Sequence, residues 1–284
     1  VTHDGGGLSG ATVYLSGHTR RQTTTDADGN YAFKNLDGAP YRVTVSRQGY
    51  HFTPVNREVL LEDEEMETGV SFAAESGNPV WTVLLHLAVD NNLTTWEDYR
   101  AGLTALLAHL ETIASENTGR TLNLCVLMDA HASVTDFTDG WYVLTGAAFP
   151  DDRVHATGEI NSGSVNVTTE FVDWAVSNYP ADRYVYIIYN HGGGFDDENI
   201  WGIPSGDKGV GGDDGEGGDS LSHHELELIT GHFRGLLGRK IDLFYPYACL
   251  MGGLELGYEL RENVSYMLAS EEIFEMHAVG LNPM

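Results

Sequence analysis

The sequence predicts an α/β protein whose mostly parallel sheet is flanked by helices, preceded by a small all-β sandwich. Two patterns carry this reading. Up to residue 75, apolar residues come in short alternating runs separated by turns rich in Asp, Gly and Asn, as in a small sandwich. From residue 80 onward, near-continuous apolar runs alternate with stretches of helical spacing, as in strands buried on both faces and joined by crossover helices. The division is therefore a sandwich over 1–75, a linker over 76–79 and an α/β domain over 80–284.

The sandwich strands are expected at 11–15, 31–33, 41–46 and 58–61, with turns at 26–30, 37–38 and 48–49. Asp26, Asp28 and Asn30 have the spacing of a calcium loop. An EF-hand needs Glu at its twelfth position and flanking helices, whereas Asp37 stands there in a β setting. A turn that uses Asp, Gly and Asn for their backbone freedom explains the segment better. In the second domain the run 80–89 reads as a central strand. A helix over 96–113 puts Leu103, Leu106, Leu107 and Leu110 on one side. Further strands are expected at 122–128, 141–144, 184–189, 241–245 and 266–269, and helices at 168–177, 224–237 and 253–262. Ser222 and Glu225 make a capping box for the second of these helices. The segment 196–219 carries little secondary-structure signal and reads as a long loop.

Charge narrows the function. Forty-two acids against 15 bases give a formal net charge of −27, which excludes a nucleic-acid binder and disfavours anionic membranes. Such a field draws in cations, basic peptides among them. No apolar run is long enough for a membrane span. The first ten residues are polar and Gly-rich, unlike a signal peptide. Two cysteines make no disulfide framework. Cys125 lies inside an apolar run and reads as buried, whereas Cys249 follows a strand.

Two strand ends carry reactive groups. The run 184–189 leads into Asn190-His191-Gly192-Gly193-Gly194, and the run 241–245 leads into Pro246-Tyr247-Ala248-Cys249. In a parallel sheet both arrive at the carboxyl edge, where reacting groups gather, 249 − 191 = 58 positions apart. A thiol beside an imidazole suits acyl transfer. The thiolate attacks, and the imidazole takes the thiol proton and returns it to the departing amine. The backbone N–H groups of Gly192 and Cys249 are candidates for the oxyanion hole. His-Gly-Gly-Gly also marks the oxyanion loop of many α/β-hydrolases, but no Gly-x-Ser-x-Gly elbow occurs in the chain. Gly218-Asp219-Ser220-Leu221 spells another lipase signature, here in an acidic loop that leads into a helix. Asp213, Asp214, Glu216 and Asp219 crowd that loop and are candidate ligands for a hard cation.

Two resemblances extend the reading. Residues 8–14, 24–33 and 41–45, with Gly49-Tyr50, resemble carboxypeptidase regulatory-like, or transthyretin-like, domains. Residues 81–93, Tyr179-Pro180-Ala181-Asp182, Asn190-His-Gly-Gly-Gly194, Asp219-Ser-Leu221, Ala248-Cys-Leu-Met-Gly252 with Glu255, and Ala269-Ser-Glu271 resemble the clostripain family of caspase-like cysteine peptidases. The second resemblance implies a caspase-like fold and a secreted or cell-surface bacterial endopeptidase. It implies a His191–Cys249 dyad, cleavage after Arg or Lys, and an influence of calcium, with no organic cofactor. It also implies activation by internal cleavage, placed here after Lys208. The substrate is then a peptide or protein, and the sandwich is a docking module for a cell-surface ligand. The sequence departs from the family at Tyr247, where an Asp commonly lines the pocket for the residue before the scissile bond; Glu271 or Glu272 could supply the charge instead. The family also continues beyond the position of Met284, so the domain is expected to be C-terminally incomplete. The alternative is an inert surface adhesion or binding protein with a peptidase-like fold.

Overall fold

The computed structural model describes residues 1–47, 49–54, 56–62, 68–77, 79–117, 119, 121–194, 209–215 and 218–273. The N-terminal strands are β1 (Thr2–His3), β2 (Gly6–Gly7), β3 (Thr12–Gly17), β4 (Arg21–Thr24), β5 (Pro40–Ser46), β6 (Tyr50–Thr53), β7 (Asn56–Leu60) and β8 (Ala73–Ser76). They form two four-stranded sheets, ordered β2-β1-β8-β6 and β4-β3-β5-β7. Alternation along β3 and β5 turns Val13, Leu15, Tyr41, Val43 and Val45 into a shared core with Phe52 and Phe72. Residues 31–33, expected as a strand, are not one. Tyr31 and Phe33 pack against this core from a loop, and the Tyr31 hydroxyl donates to the Val70 carbonyl at 2.7 Å. Their alternation marks burial and not pairing. The turn at 26–30 forms as expected: the Asp26 carboxylate accepts the N–H groups of Asp28 and Asn30, and Gly29 takes a φ of 76°.

The second domain begins with β9 (Trp81–Val89), then α1 (Asn92–Thr95), α2 (Glu97–Glu116), β10 (Leu122–Ala130), β11 (Gly140–Val143), β12 (Arg153–Ala156), α3 (Val165–Asn178) and β13 (Arg183–Tyr189). It continues with β14 (Gly209–Asp213), β15 (Asp219–Ser222), α4 (His223–Leu237), β16 (Ile241–Tyr247), α5 (Leu254–Leu260) and β17 (Val264–Met267). One seven-stranded sheet runs β12-β11-β10-β9-β13-β16-β17. β10, β9, β13, β16 and β17 pair in parallel, and β11 and β12 form an antiparallel edge. Alternate residues of β9 and β10 face opposite cores. Leu84, Cys125, Leu127, Tyr186 and Ile188 meet α3, α4 and α5, while Leu85, Leu87, Val126 and Met128 meet Leu103 and Leu107 of α2. Cys125 is buried as expected, and burial pushes its thiol up to about 12. The capping box at Ser222 and Glu225 is present, and Gly238 closes α4 in the left-handed region.

The expected loop over 196–219 needs correction at its end. Residues 209–213 and 219–222 form the β14–β15 hairpin, whose glycine-rich strand allows close approach: a Cβ on Gly209 would lie 1.8 Å from the Leu221 carbonyl oxygen. Glycine in this strand reflects packing against a neighbouring backbone, which composition alone reads as flexibility.

His86 sits fully buried in β9 with its Nδ1 3.3 Å from the Tyr186 hydroxyl, and desolvation lowers its imidazole to about 3. The folded state keeps this ring neutral while the unfolded chain protonates it below about pH 6.5. Its contribution to stability is therefore present above that pH and is lost as pH falls toward the folded value. The difference in unfolding free energy between His86→Leu and wild type is expected to move in favour of the variant by about 1.4 kcal/mol per pH unit between pH 6.5 and 4. Urea melts at four pH values measure it, and a pH-independent difference would refute it.

Candidate active site

β13 and β16 pair in register with Val185 opposite Leu243 and Tyr189 opposite Tyr247. The same 58-residue offset separates His191 from Cys249. Both chains thus leave the sheet side by side at its carboxyl edge, about 4.8 Å apart as neighbouring strands are. The contact is tight: a Cβ on Gly192 would lie 2.1 Å from the Cys249 carbonyl oxygen and 2.9 Å from the Ala248 Cβ. Only glycine lets the two strand ends approach this closely.

The imidazole is held from the α2 face. His191 Nε2 lies 2.6 Å from the Asn92 side-chain oxygen, so Nε2–H donates there, and the Tyr99 ring meets the imidazole edge-on at 6.3 Å. Asn92 itself follows Asn91, whose side chain caps α1 by accepting the Leu93 N–H. One residue before the imidazole, Asn190 donates from Nδ2 to the carbonyls of Ala88 and Gly212, and Asn91 Nδ2 also reaches the Gly212 carbonyl at 3.0 Å. Two buried amides therefore tie the His191 segment to β9 and β14.

After Cys249 the chain turns sharply. Leu250 takes a φ of 60°, a left-handed value that costs a branched residue roughly 1 kcal/mol. Gly194, itself at a φ of 69°, lies against it: a Cβ there would be 3.1 Å from the Leu250 Cβ. The turn is pinned by Leu250 N–H to the Glu272 carbonyl at 3.3 Å and Gly252 N–H to the Ser270 carbonyl at 2.7 Å. This brings Glu271 and Glu272 beside the Cys249 loop, both exposed. Tyr247 stacks on Tyr189 with ring centroids 5.3 Å apart and meets Tyr245 edge-on at 5.4 Å, and burial raises its phenol above the ordinary range. It forms an aromatic floor beneath the strand ends.

Among the described residues, the loop acids Asp213, Asp214 and Asp219 do not form one group. Asp213 is buried, Asp214 is exposed, Asp219 is exposed and accepts from Asn161, and Glu216 lies outside the described residues. Asp213 instead meets Asp90 and Asp129, which sequence reading passed over. Both follow apolar runs at strand ends, so the signal was an acid placed where a buried strand meets the carboxyl edge. Asn92 and Tyr99 were missed because nothing local in the sequence ties them to an imidazole 191 − 92 = 99 and 191 − 99 = 92 positions away. Lys208 also lies outside the described residues.

A model of the clostripain family matches residues 103–279, and a model of the carboxypeptidase regulatory-like domain matches residues 1–75. Clostripain from Hathewaya histolytica is 34% identical over 116 residues, 40% of this chain and 21% of that protein. The secreted C11 cysteine protease iotapain from Bacteroides thetaiotaomicron has a similar fold, with a TM-score of 0.50 at 18% identity over 70% of this chain and 54% of that one. A secreted C11 cysteine protease from the same organism, in complex with an irreversible peptide inhibitor, is 25% identical over 66% of this chain and 47% of that one, with a TM-score of 0.46. The chain spans about a fifth of that clostripain and about half of the two solved chains.

The Gly192 contact gives a direct test. Gly192→Ala is expected to force the two strand ends apart and to destabilise the fold by about 1–3 kcal/mol. It should also change the alkylation rate of Cys249 and leave Cys125 unreactive. Denaturant melts and mass-mapped alkylation check both, and unchanged values would mean that the strand ends do not meet as described.

Proposed function

The chain belongs to the clostripain family, and on that premise we propose that it is a cysteine endopeptidase with Cys249 as nucleophile and His191 as its acid–base partner. The observation that carries the reading is the shared offset of 58 residues, which brings thiol and imidazole out of adjacent strands at one edge. With Nε2–H donated to Asn92, the ring keeps Nδ1 to accept a proton. In the first step Cys249 Sγ bonds to the scissile carbonyl carbon while its proton passes to His191. The N–H groups of Gly192 and Cys249 receive the oxyanion. The C–N bond then breaks, and His191 protonates the departing amine. Water, deprotonated by the same ring, attacks the thioester, releases the acid product and restores the thiol.

Cleavage after Arg or Lys is the preferred specificity. Glu271 and Glu272 flank the loop, an Arg could stack on the Tyr247 floor, and the chain as a whole is strongly acidic. Internal cleavage after Lys208 is the proposed activation step. The fragments would hold together, because β13 pairs with β16 across the cut and Gly193 donates to the Gly209 carbonyl at 2.9 Å. Secretion or a cell-surface location, and a surface ligand for the sandwich, complete the proposal.

Cys249→Ala is expected to abolish hydrolysis of a positional scanning library in which the wild type prefers Arg or Lys before the scissile bond. Incubated alone, only the wild type should yield fragments ending at Lys208. Hydrolysis that survives in Cys249→Ala would remove the nucleophile. An apolar or acidic preference would remove the specificity, and a wild type that is fully active yet uncut would remove the activation step.

Asn92 acts as a positioning residue for the imidazole. Asn92→Ala is expected to lower kcat about 10- to 100-fold with KM little changed, and to shift the acid limb of the kcat/KM profile. An altered KM with an unshifted profile would point to a role in substrate binding only.

A further inference from the structure

The order of strands across the carboxyl edge gives the proposed reaction a direction. β9, β13, β16 and β17 lie side by side in that sequence. Glu271 and Glu272 follow β17 and stand beside the Cys249 loop, His191 leaves β13, and Asn92, Trp96 and Tyr99 follow β9 on the far side of the imidazole. His191 protonates the departing amine, so residues beyond it, away from the thiol, face the part of the substrate that leaves. Substrate residues before the scissile bond then lie toward β17, and those after it toward β9.

An exposed aromatic surface lies on the β9 side. Trp96 is 59% exposed, and its ring stacks on Tyr99 with centroids 5.7 Å apart and planes 8° from parallel. Tyr99 in turn meets the His191 imidazole edge-on at 6.3 Å, which ties the stack to the reacting ring. Tyr99 covers one face of the indole, and the high exposure leaves the other to solvent. Neither burial nor capping accounts for a tryptophan at this position. Trp96 is the N-cap of the 20-residue helix α2 and makes no side-chain cap hydrogen bond, where Ser, Thr, Asp or Asn would satisfy an open N–H group. The next two residues, Glu97 and Asp98, are exposed; they favour the start of the helix and place negative charge next to the indole along the chain.

Distances across the edge set which substrate residue arrives there. Neighbouring strands are about 4.8 Å apart, and an extended peptide advances about 3.4 Å per residue. Two strand spacings separate β16 from β9, a span that roughly two to three residues cover. We propose that Trp96, backed by Tyr99, is a subsite for the second or third residue after the scissile bond, and that it takes a flat side chain, aromatic or arginine, in preference to a small or acidic one. Both kinds of flat side chain stack on an indole face, arginine with cation–π attraction in addition. An acidic residue meets Glu97 and Asp98 and gains no stack. The subsite rests on the assignment of Cys249 and His191 as the dyad.

The test reads selectivity within one preparation, so absolute rate does not enter. The purified full chain is given peptides that share one sequence before the scissile bond and carry Phe, Arg, Ala or Asp at each of the first three positions after it. At the second or third position kcat/KM is expected to be about tenfold higher with Phe or Arg than with Ala, and lowest with Asp. In Trp96→Ser the ratio should fall to about one, mostly through KM, while the preference at the residue before the scissile bond persists. Trp96→Phe keeps a flat ring and should keep part of the ratio. Ser also supplies the missing cap, so denaturant melts should find Trp96→Ser no less stable than the wild type. A ratio near one in the wild type, or a ratio that survives Trp96→Ser, would overturn the subsite and leave the dyad standing. A less stable Trp96→Ser that also loses its preference before the scissile bond would make the indole a structural residue and overturn the subsite too. Hydrolysis that persists in Cys249→Ala would overturn the dyad, and the subsite with it.

Discussion

The parallel pairing of β13 with β16 is the constraint on which the functional edge depends. Main-chain hydrogen bonds fix the register, and a slip of one residue would turn each side chain of β16 to the other core. That slip is heavily penalised, because Phe244 belongs to the core under α4 whereas Tyr247 stacks on Tyr189 toward α2. Hydrophobic sorting of the two faces therefore sets the place of Cys249 against His191 before either side chain makes a contact of its own. Gly192 completes the arrangement by letting the emerging backbones touch.

Much of this was legible in the sequence, for identifiable reasons. Apolar runs such as 81–89 and 241–247 are strands buried on both faces, so composition alone separates them from the amphipathic helices α2 and α4. His191 and Cys249 could be placed at the carboxyl edge because each stands just past such a run. Short edge elements were harder. β12 is exposed along its whole length, and β4, Arg21–Thr24, is polar and largely exposed, so neither carries an alternation to read. The reverse failure occurred at Tyr31 and Phe33, where alternation came from a loop laid over the sandwich core. The acids of the loop raise a separate point. Crowding in sequence drew attention to 213–219, whereas burial joins Asp213 to partners from β9 and β10 that lie far away along the chain.

The charge of −27 acts at two depths. On the surface it is screened within about 8–10 Å at physiological salt and sets solubility and the approach of basic peptides. Inside, the same residue type is governed by desolvation, and Asp129 shows the outcome in its raised carboxyl. Three buried carboxylates this close together cost more than an apolar cluster of equal volume would. They lie beside the amides that hold His191, one residue from Asn91 and one from Gly212.

The sandwich meets the opposite end of the sheet. Arg42 donates to the Leu236 carbonyl at the end of α4, and the left-handed Gly238 lies against Ser16 and Thr44 of β3 and β5. The cavity between the domains is lined by Thr44, His51 and Asn56 on one side and by Val80, Asp182 and Arg239 on the other. Asp182 and Arg239 come just before β13 and β16, where the parallel strands begin. Cys249 and His191 stand where those strands finish, a strand length of roughly 20 Å away. Through these contacts the sandwich can anchor or orient the α/β domain from the end of the sheet away from Cys249. Among the described residues, those that line this contact stand where the parallel strands begin, so a ligand of the sandwich would act on Cys249 and His191 through the sheet or through the position of the whole molecule.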